Sequence, residues 1–123
     1  MTQDRLSLGK KGEELAITQL KALKYKILER NFKCRLGEID IIARDKSTLV
    51  FIEVKTRATR DFGGPAAAVH ERKQRQLSKV ALVYLNQKKL FNIPARFDVV
   101  AVELLPPSPR IEVIQNAFDL CYE

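Results

Sequence analysis

Cysteine and histidine are scarce in this 123-residue chain, which has two cysteines, Cys34 and Cys121, and one histidine, His70. The cysteines lie far apart and form no CxxC pair, so there is neither a disulfide framework nor a thiol redox motif. Reduced thiols and a cytoplasmic location are the corresponding expectation. One His and two distant Cys also argue against a structural zinc site. No stretch approaches the ~20 apolar residues that a spanning helix needs, and "MTQDRLSLGKKGEELA" has no apolar signal core. Nor does any helical pattern present a leucine-rich or aromatic face suited to lying on a membrane. Acids are the last shortage. Fifteen Asp and Glu stand against 22 Lys and Arg, for a net charge of +7 and a pI near 9.6.

That imbalance suits a polyanionic partner such as nucleic acid, without specifying one. The rest of the composition, 46% apolar and 30% charged, is that of a folded domain. The length allows one hydrophobic core rather than two, so residues 1–123 read as a single domain.

Periodicity divides the chain. From Leu8 to Leu23 a helical pattern places Ala16, Leu20, Leu23 and then Ile27 on one stripe, with Ser7 as a candidate cap. "KILERNFKC" reads as a short strand with Leu28, Phe32 and Cys34 of one parity. Residues 38 to 43 and 49 to 56 read as a hairpin around "DKST". A second long helix spans about 66 to 86, with Pro65 in its first turn and Val69, Lys73, Leu77, Val80 and Tyr84 facing inward. "ARFDVVAVEL" is a further strand. A proline-rich turn at 105–110 then leads to "IEVIQ", an edge strand. The order helix, three strands, helix, one or two strands predicts an α/β fold with one mixed sheet flanked by helices. The second helix serves as a parallel crossover.

The hairpin holds the unusual residues. If Arg44 faces Leu49, then Ile42 faces Phe51, Asp40 faces Glu53 and Glu38 faces Lys55. Ile39, Ile41, Ala43, Val50, Ile52 and Val54 then make one apolar layer on the other face. Two carboxylates directly opposite one another are unfavourable. In a sheltered place they must raise a pKa or recruit a cation, and a hard divalent ion with oxygen ligands removes the conflict. Lys55 shares the face of Glu53, where an ammonium can hold an attacking water or offset charge on a phosphate. A solvated hairpin is the competing account, with Glu38 and Lys55 an ordinary cross-strand pair and Asp40 and Glu53 at a wet sheet edge.

Taken together, "GKKGEELA", "RNFKCRLGEIDIIARD", "LVFIEVKTR" and "ARFDVV" resemble the YraN-type family of small bacterial proteins, over nearly the whole chain. That family is similar to the restriction-endonuclease-like superfamily, whose PD-(D/E)xK nucleases include Holliday-junction resolvases. The resemblance implies a restriction-endonuclease-like sheet and Mg²⁺, or Mn²⁺ in its place, held by Glu13, Asp40 and Glu53. It makes Glu13, Asp40, Glu53 and Lys55 the catalytic set. Ile39 stands where the superfamily pattern has proline.

Around this set, Glu38 is expected as a supporting neighbour of the acids or a partner of Lys55. Arg57, which ends the strand on the parity of Lys55, is a candidate nucleic-acid contact, and so are Lys73, Arg75 and Lys79, because seven basic residues and no acid run from Arg72 through Arg96. "RDFGGPAAAV", with Phe62, is either a substrate-contacting loop or a core closure, and His70 is expected to be a surface or structural residue. DNA, branched DNA included, is the expected partner, and a homodimer would suit a symmetric junction. Two other accounts compete with a nuclease: a non-catalytic nucleic-acid-binding module of the same fold, and a protein-interaction subunit.

Overall fold

A computed structural model describes residues 2–58 and 69–120. The element order is α1 (Thr2–Ala22), β1 (Lys26–Cys34), β2 (Gly37–Asp45), β3 (Thr48–Arg57), α2 (Glu71–Lys88), β4 (Ala95–Glu103) and β5 (Arg110–Phe118). This is the helix–strand–strand–strand–helix–strand–strand order expected from the sequence. The five strands form one sheet in the order β1-β2-β3-β4-β5. Every neighbouring pair is antiparallel except β3 with β4, which are parallel and joined through α2. No described helix is long and apolar enough to cross a membrane.

Two apolar layers sandwich the sheet. Ala16, Ile17 and Leu20 of α1 bury against Ile41, Ala43, Val50, Ile52, Val100 and Val102. Leu77, Val80, Ala81, Tyr84 and Leu85 of α2 bury against Phe32, Ile42, Leu49, Phe51, Phe97 and Val99. Tyr84 meets Phe32 and Phe51 edge-on, at 5.2 and 6.0 Å between ring centroids.

Several expectations are corrected at the element ends. α1 begins at Thr2, so Ser7 lies inside it and does not cap it. Its apolar stripe ends at Leu20. Leu23 is exposed and Ile27 belongs to β1, because the chain leaves the helix there. Lys24 adopts a left-handed φ of 74°, while the Lys24 and Tyr25 amides donate back to the Lys21 and Leu20 carbonyls (3.0 Å each). That is a Schellman-type stop. Leu28 does not join Phe32 in the core. The β1–β2 register shifts between Ile27 and Glu29, and the bulge turns Leu28 outward. α2 begins at Glu71, capped by His70, whose Nδ1 accepts from the Arg72 amide at 3.2 Å. Pro65, Phe62, the rest of "RDFGGPAAAV" before Val69, and Cys121 lie outside the described residues.

α1 approaches the sheet closely at Gly12. A Cβ there would overlap Thr56 of β3, lying 2.8 Å from its Cβ and Cγ2 and closer still to its hydroxyl. Gly→Ala inside a helix ordinarily stabilises by about 1 kcal/mol. Here overpacking reverses the sign, and Gly12→Ala is expected to cost about 1–3 kcal/mol in urea denaturation. The same change moves the adjacent Glu13.

A candidate acid site where the sheet divides

The β2–β3 ladder runs from Asp45↔Thr48 through Ile42↔Phe51 to Ile41↔Ile52, which is the register expected from the sequence. It then stops. β2 continues against β1 as far as Gly37, and β3 continues against β4 as far as Arg57. The ladder thus ends before Glu38 and Lys55 come opposite, and Glu38 pairs with Lys33 across β1–β2 instead. The sheet divides between Asp40 and Glu53, the position where the two carboxylates were expected to face.

Division leaves the Val54 amide without a β2 carbonyl. Asp40 Oδ2 accepts that N–H at 2.8 Å, so the acid replaces a missing rung of the ladder. Apolar alternation breaks at the same point. Ile41 packs beneath α1 whereas Ile39 packs in the α2 layer, so the two do not share the single apolar face expected of them. Asn31, between the partners Arg30↔Ile41 and Phe32↔Ile39, has a left-handed φ of 54°. That local coil carries both strands across to the other layer.

Asp40 and Glu53 are hydrogen-bonded to each other through their side chains. Burial pushes both carboxyls above the usual range. The Val54 amide and the Glu53 bond hold Asp40 back, while the charge of Asp40 raises Glu53 further, to about 7. The pair therefore shares one proton up to about neutral pH. From α2, Lys73 brings its Nζ to 4.0 Å from Glu53 Oε2. Lys55 follows two residues after Glu53. Burial lowers its pKa, as do the charges of Arg57 and Lys73, against the opposing pull of Glu53.

Glu13 reaches the same region from α1. Burial raises its carboxyl, and so does the charge of Asp40 and, more weakly, of Glu38, while Arg30 and a hydrogen bond from Asn31 lower it. Glu38 acts on both neighbours as a nearby like charge. Among the described residues, no three His, Cys, Asp or Glu side chains stand close enough to hold a metal as a preformed cluster. What is present is one hydrogen-bonded carboxylate pair with two further acids at repulsive range. That donor set fits Mg²⁺, which takes oxygen ligands and is commonly held through one or two carboxylates plus water.

The remaining basic candidates divide. Arg57 ends β3 beside Lys55, close enough for its charge to act on the ammonium. Arg75 is paired with Glu71 one turn earlier, at 3.3 Å. Lys79 lies on the outer side of α2, beside Leu82, Val83 and Phe91. Sequence reasoning missed Asn31, which stands between Arg30 and Phe32 in a strand whose local pattern does not single it out. Arg96 and Asp98, which flank Phe97 and read from the sequence as supporting residues, belong to a buried polar network whose other members the sequence did not indicate: Asp98 accepts from Tyr25 Oη (2.8 Å), Arg96 Nε (2.9 Å) and the Asn116 amide (2.9 Å).

The protonated pair has a consequence for stability. Glu53 titrates near its ordinary 4.5 in the unfolded chain and near 7 in the folded one. The unfolded chain therefore releases this proton first, and stability falls as pH rises between those values. Without divalent metal, the loss is expected to be on the order of 2 kcal/mol from about pH 5 to about pH 8. Comparing urea midpoints of the wild type and Glu53→Gln isolates it, because the variant lacks this slope.

The mixed sheet, its flanking helices and this acid-and-lysine cluster define an α/β protein of nuclease-like fold. The chain belongs to the uncharacterised protein family UPF0102, whose profile matches residues 12–102. Among similar proteins, a UPF0102 protein of Geobacter sulfurreducens is 55% identical over 116 residues, covering 94% of this chain and 91% of that protein. One from Geobacter metallireducens is 52% identical over 99% of this chain and all of its own length. One from Caldicellulosiruptor saccharolyticus is 44% identical over 94% of this chain and 99% of its own.

Proposed function

We propose that this protein is a Mg²⁺-dependent nuclease that hydrolyses phosphodiester bonds in DNA, including branched or recombination intermediates. The observation that carries the reading is the proton-sharing Asp40–Glu53 pair at the division of the sheet, with Lys55 two residues along the same strand. Asp40, Glu53 and Lys55 follow the PD-(D/E)xK pattern except that Ile39 replaces its proline, and Glu13 stands for the acid on the first helix.

Asp40 and Glu53 would hold the ion, with Glu13 supporting them from α1. Mg²⁺, when bound, neutralises phosphate charge and polarises the bond to be cut. The residues supply the rest. Lys55 orients the attacking water and offsets charge gathering on the phosphate oxygens. The water gives up a proton to solvent as its oxygen bonds to phosphorus, and the leaving sugar oxygen, its bond to phosphorus broken, takes a proton from solvent. Lys73 meets the backbone phosphate and gives up its contact with Glu53 as it does so, and Arg57 contributes a second cation. Two copies acting together would match a symmetric junction.

The test is incubation of purified protein with linear, nicked and four-way DNA in Mg²⁺ or Mn²⁺. Cleavage that EDTA abolishes supports the reading, and intact substrates with no detectable metal binding would overturn it. A second reading, a non-catalytic nucleic-acid-binding module, draws on the proton that Glu53 retains near pH 7, since a protonated carboxyl is a poor ligand. It requires salt-sensitive DNA binding that persists in EDTA and in Asp40→Asn.

A further inference from the structure

α2 carries a row of side chains that the acid site does not use. Arg72, Gln76, Lys79, Val83 and Asn86 recur every three or four residues and so share one face of the helix. The first part of the row, with His70 and Lys73, lines a recess of about 370 Å³. The later part, with Leu36, Leu82 and Phe91, lines a groove of about 380 Å³. Gln76 joins the two, because its Nε2 donates to the Leu36 carbonyl at 3.1 Å. Leu36 and Phe91 are 44% and 59% exposed, respectively, outside both apolar layers. Among the described residues, no acid lines either depression. Lys73, which lines the recess, also brings its Nζ to 4.0 Å from Glu53 Oε2.

An exposed phenyl ring calls for a flat apolar partner, and the lysine beside it calls for an anion. Single-stranded nucleic acid presents both in alternation, base faces for stacking and phosphates for the cations. A duplex hides its base faces. A second copy of this chain, related by a two-fold axis, would set Arg72 and Lys79 against the same basic patch.

We infer that α2 presents a track for a single-stranded nucleic-acid segment. A base stacks on Phe91 in the groove with Leu36, Leu82 and Val83, phosphates meet Lys79 and Arg72, and the strand enters the acid site past Lys73. From Lys73 to Val83 the track follows about 15 Å of helix. This inference rests on the nucleic-acid reading above and narrows it to substrates in which a single strand adjoins the cleaved position, such as flaps and opened branches.

The experiment measures fluorescence anisotropy of a labelled oligothymidylate, and of a labelled duplex, with the whole protein in EDTA. Phe91→Ala is expected to weaken single-strand binding about tenfold while leaving duplex binding within about twofold, and Phe91→Trp is expected to restore it. Lys79→Gln is expected to flatten the salt dependence by about 0.7 in the log–log slope. Phe91 is exposed, so circular dichroism of Phe91→Ala should match the wild type. Wild-type protein that ignores the oligothymidylate at low salt would overturn the track. So would Phe91→Ala binding it unchanged, or changing only the sedimentation mass. Because the readout needs neither metal nor turnover, it is separable from the nuclease proposal: cleavage with no Phe91 effect sinks the track alone, and a Phe91 effect without cleavage sinks the nuclease alone.

Discussion

Glu53→Gln is expected to remove metal-dependent DNA cleavage, by roughly 10³-fold, while making the metal-free protein more stable at neutral pH. The two effects share one cause. Burial and the neighbouring Asp40 make an ionised Glu53 unfavourable, so its carboxyl is raised to about 7. An uncharged amide of the same shape escapes that penalty but cannot serve as an anionic ligand. A purely structural acid would show the opposite pattern, with stability lost and no activity to lose. Lys55→Ala should lower cleavage by roughly 10²-fold or more with little change in stability, since Lys55 is only part-buried. Asp40→Asn separates the roles again. The side-chain oxygen still accepts the Val54 amide, so the fold is retained while the charge is lost. Asp40→Ala also strands that amide and should cost a further 1–3 kcal/mol or so. Single-turnover cleavage and urea denaturation on the same preparations read both quantities.

Asp98→Ala is expected to be the most destabilising single change away from the acid site, by about 3–5 kcal/mol. Asp98 is fully buried on β4, and its carboxylate receives Tyr25, the Arg96 guanidinium and the Asn116 amide. Arg96 also donates to Asp45 at 2.8 Å and to Tyr25 Oη at 3.0 Å, and Gln115 closes the group on Tyr25. The network therefore ties the end of α1, the β2–β3 turn, β4 and the edge strand β5 together. Removing Asp98 leaves a half-buried guanidinium with only the Asp45 carboxylate and several donors without an acceptor. The paired replacement Arg96→Met with Asp98→Leu should recover much of the loss, because a buried ion pair is commonly worth little more than apolar residues of similar volume. Urea midpoints of the single and double variants provide the test.

Most of the fold was legible from local patterns. The alternation in β2 and β3 and the tight turn at Lys46 and Ser47 determined the hairpin register. The helical spacing of Leu77, Val80, Ala81 and Tyr84 determined the inner face of α2. Element ends were less legible, because they depend on where a left-handed residue stops the chain. Lys24, with its φ of 74°, is a lysine in an otherwise helical pattern. The bulge that expels Leu28 leaves no mark in periodicity either.

The candidate site was legible only in outline. Asp40, Glu53 and Lys55 stand out because charge interrupts an apolar strand, a signal carried within about twenty residues. Asn31, the contact of Lys73 with Glu53 and the groove beneath Phe91 each join segments with no common local pattern.

The sequence by itself determined that β2 and β3 pair, their register from the turn as far as Ile41 and Ile52, and that Asp40 and Glu53 interrupt apolar strands just beyond it, since side-chain alternation and turn length act over a few residues. Only the tertiary structure decided that the β2–β3 ladder parts just before those acids, that Asp40 fills the gap by taking the Val54 amide, and that α1 and α2 bring Glu13 and Lys73 to the opening. The physical reason is range. A rung that fails to form, and a carboxyl that keeps its proton, depend on which groups the packed helices and the neighbouring strand β4 bring within a few ångströms, and contacts so distant along the chain leave no periodic trace in it.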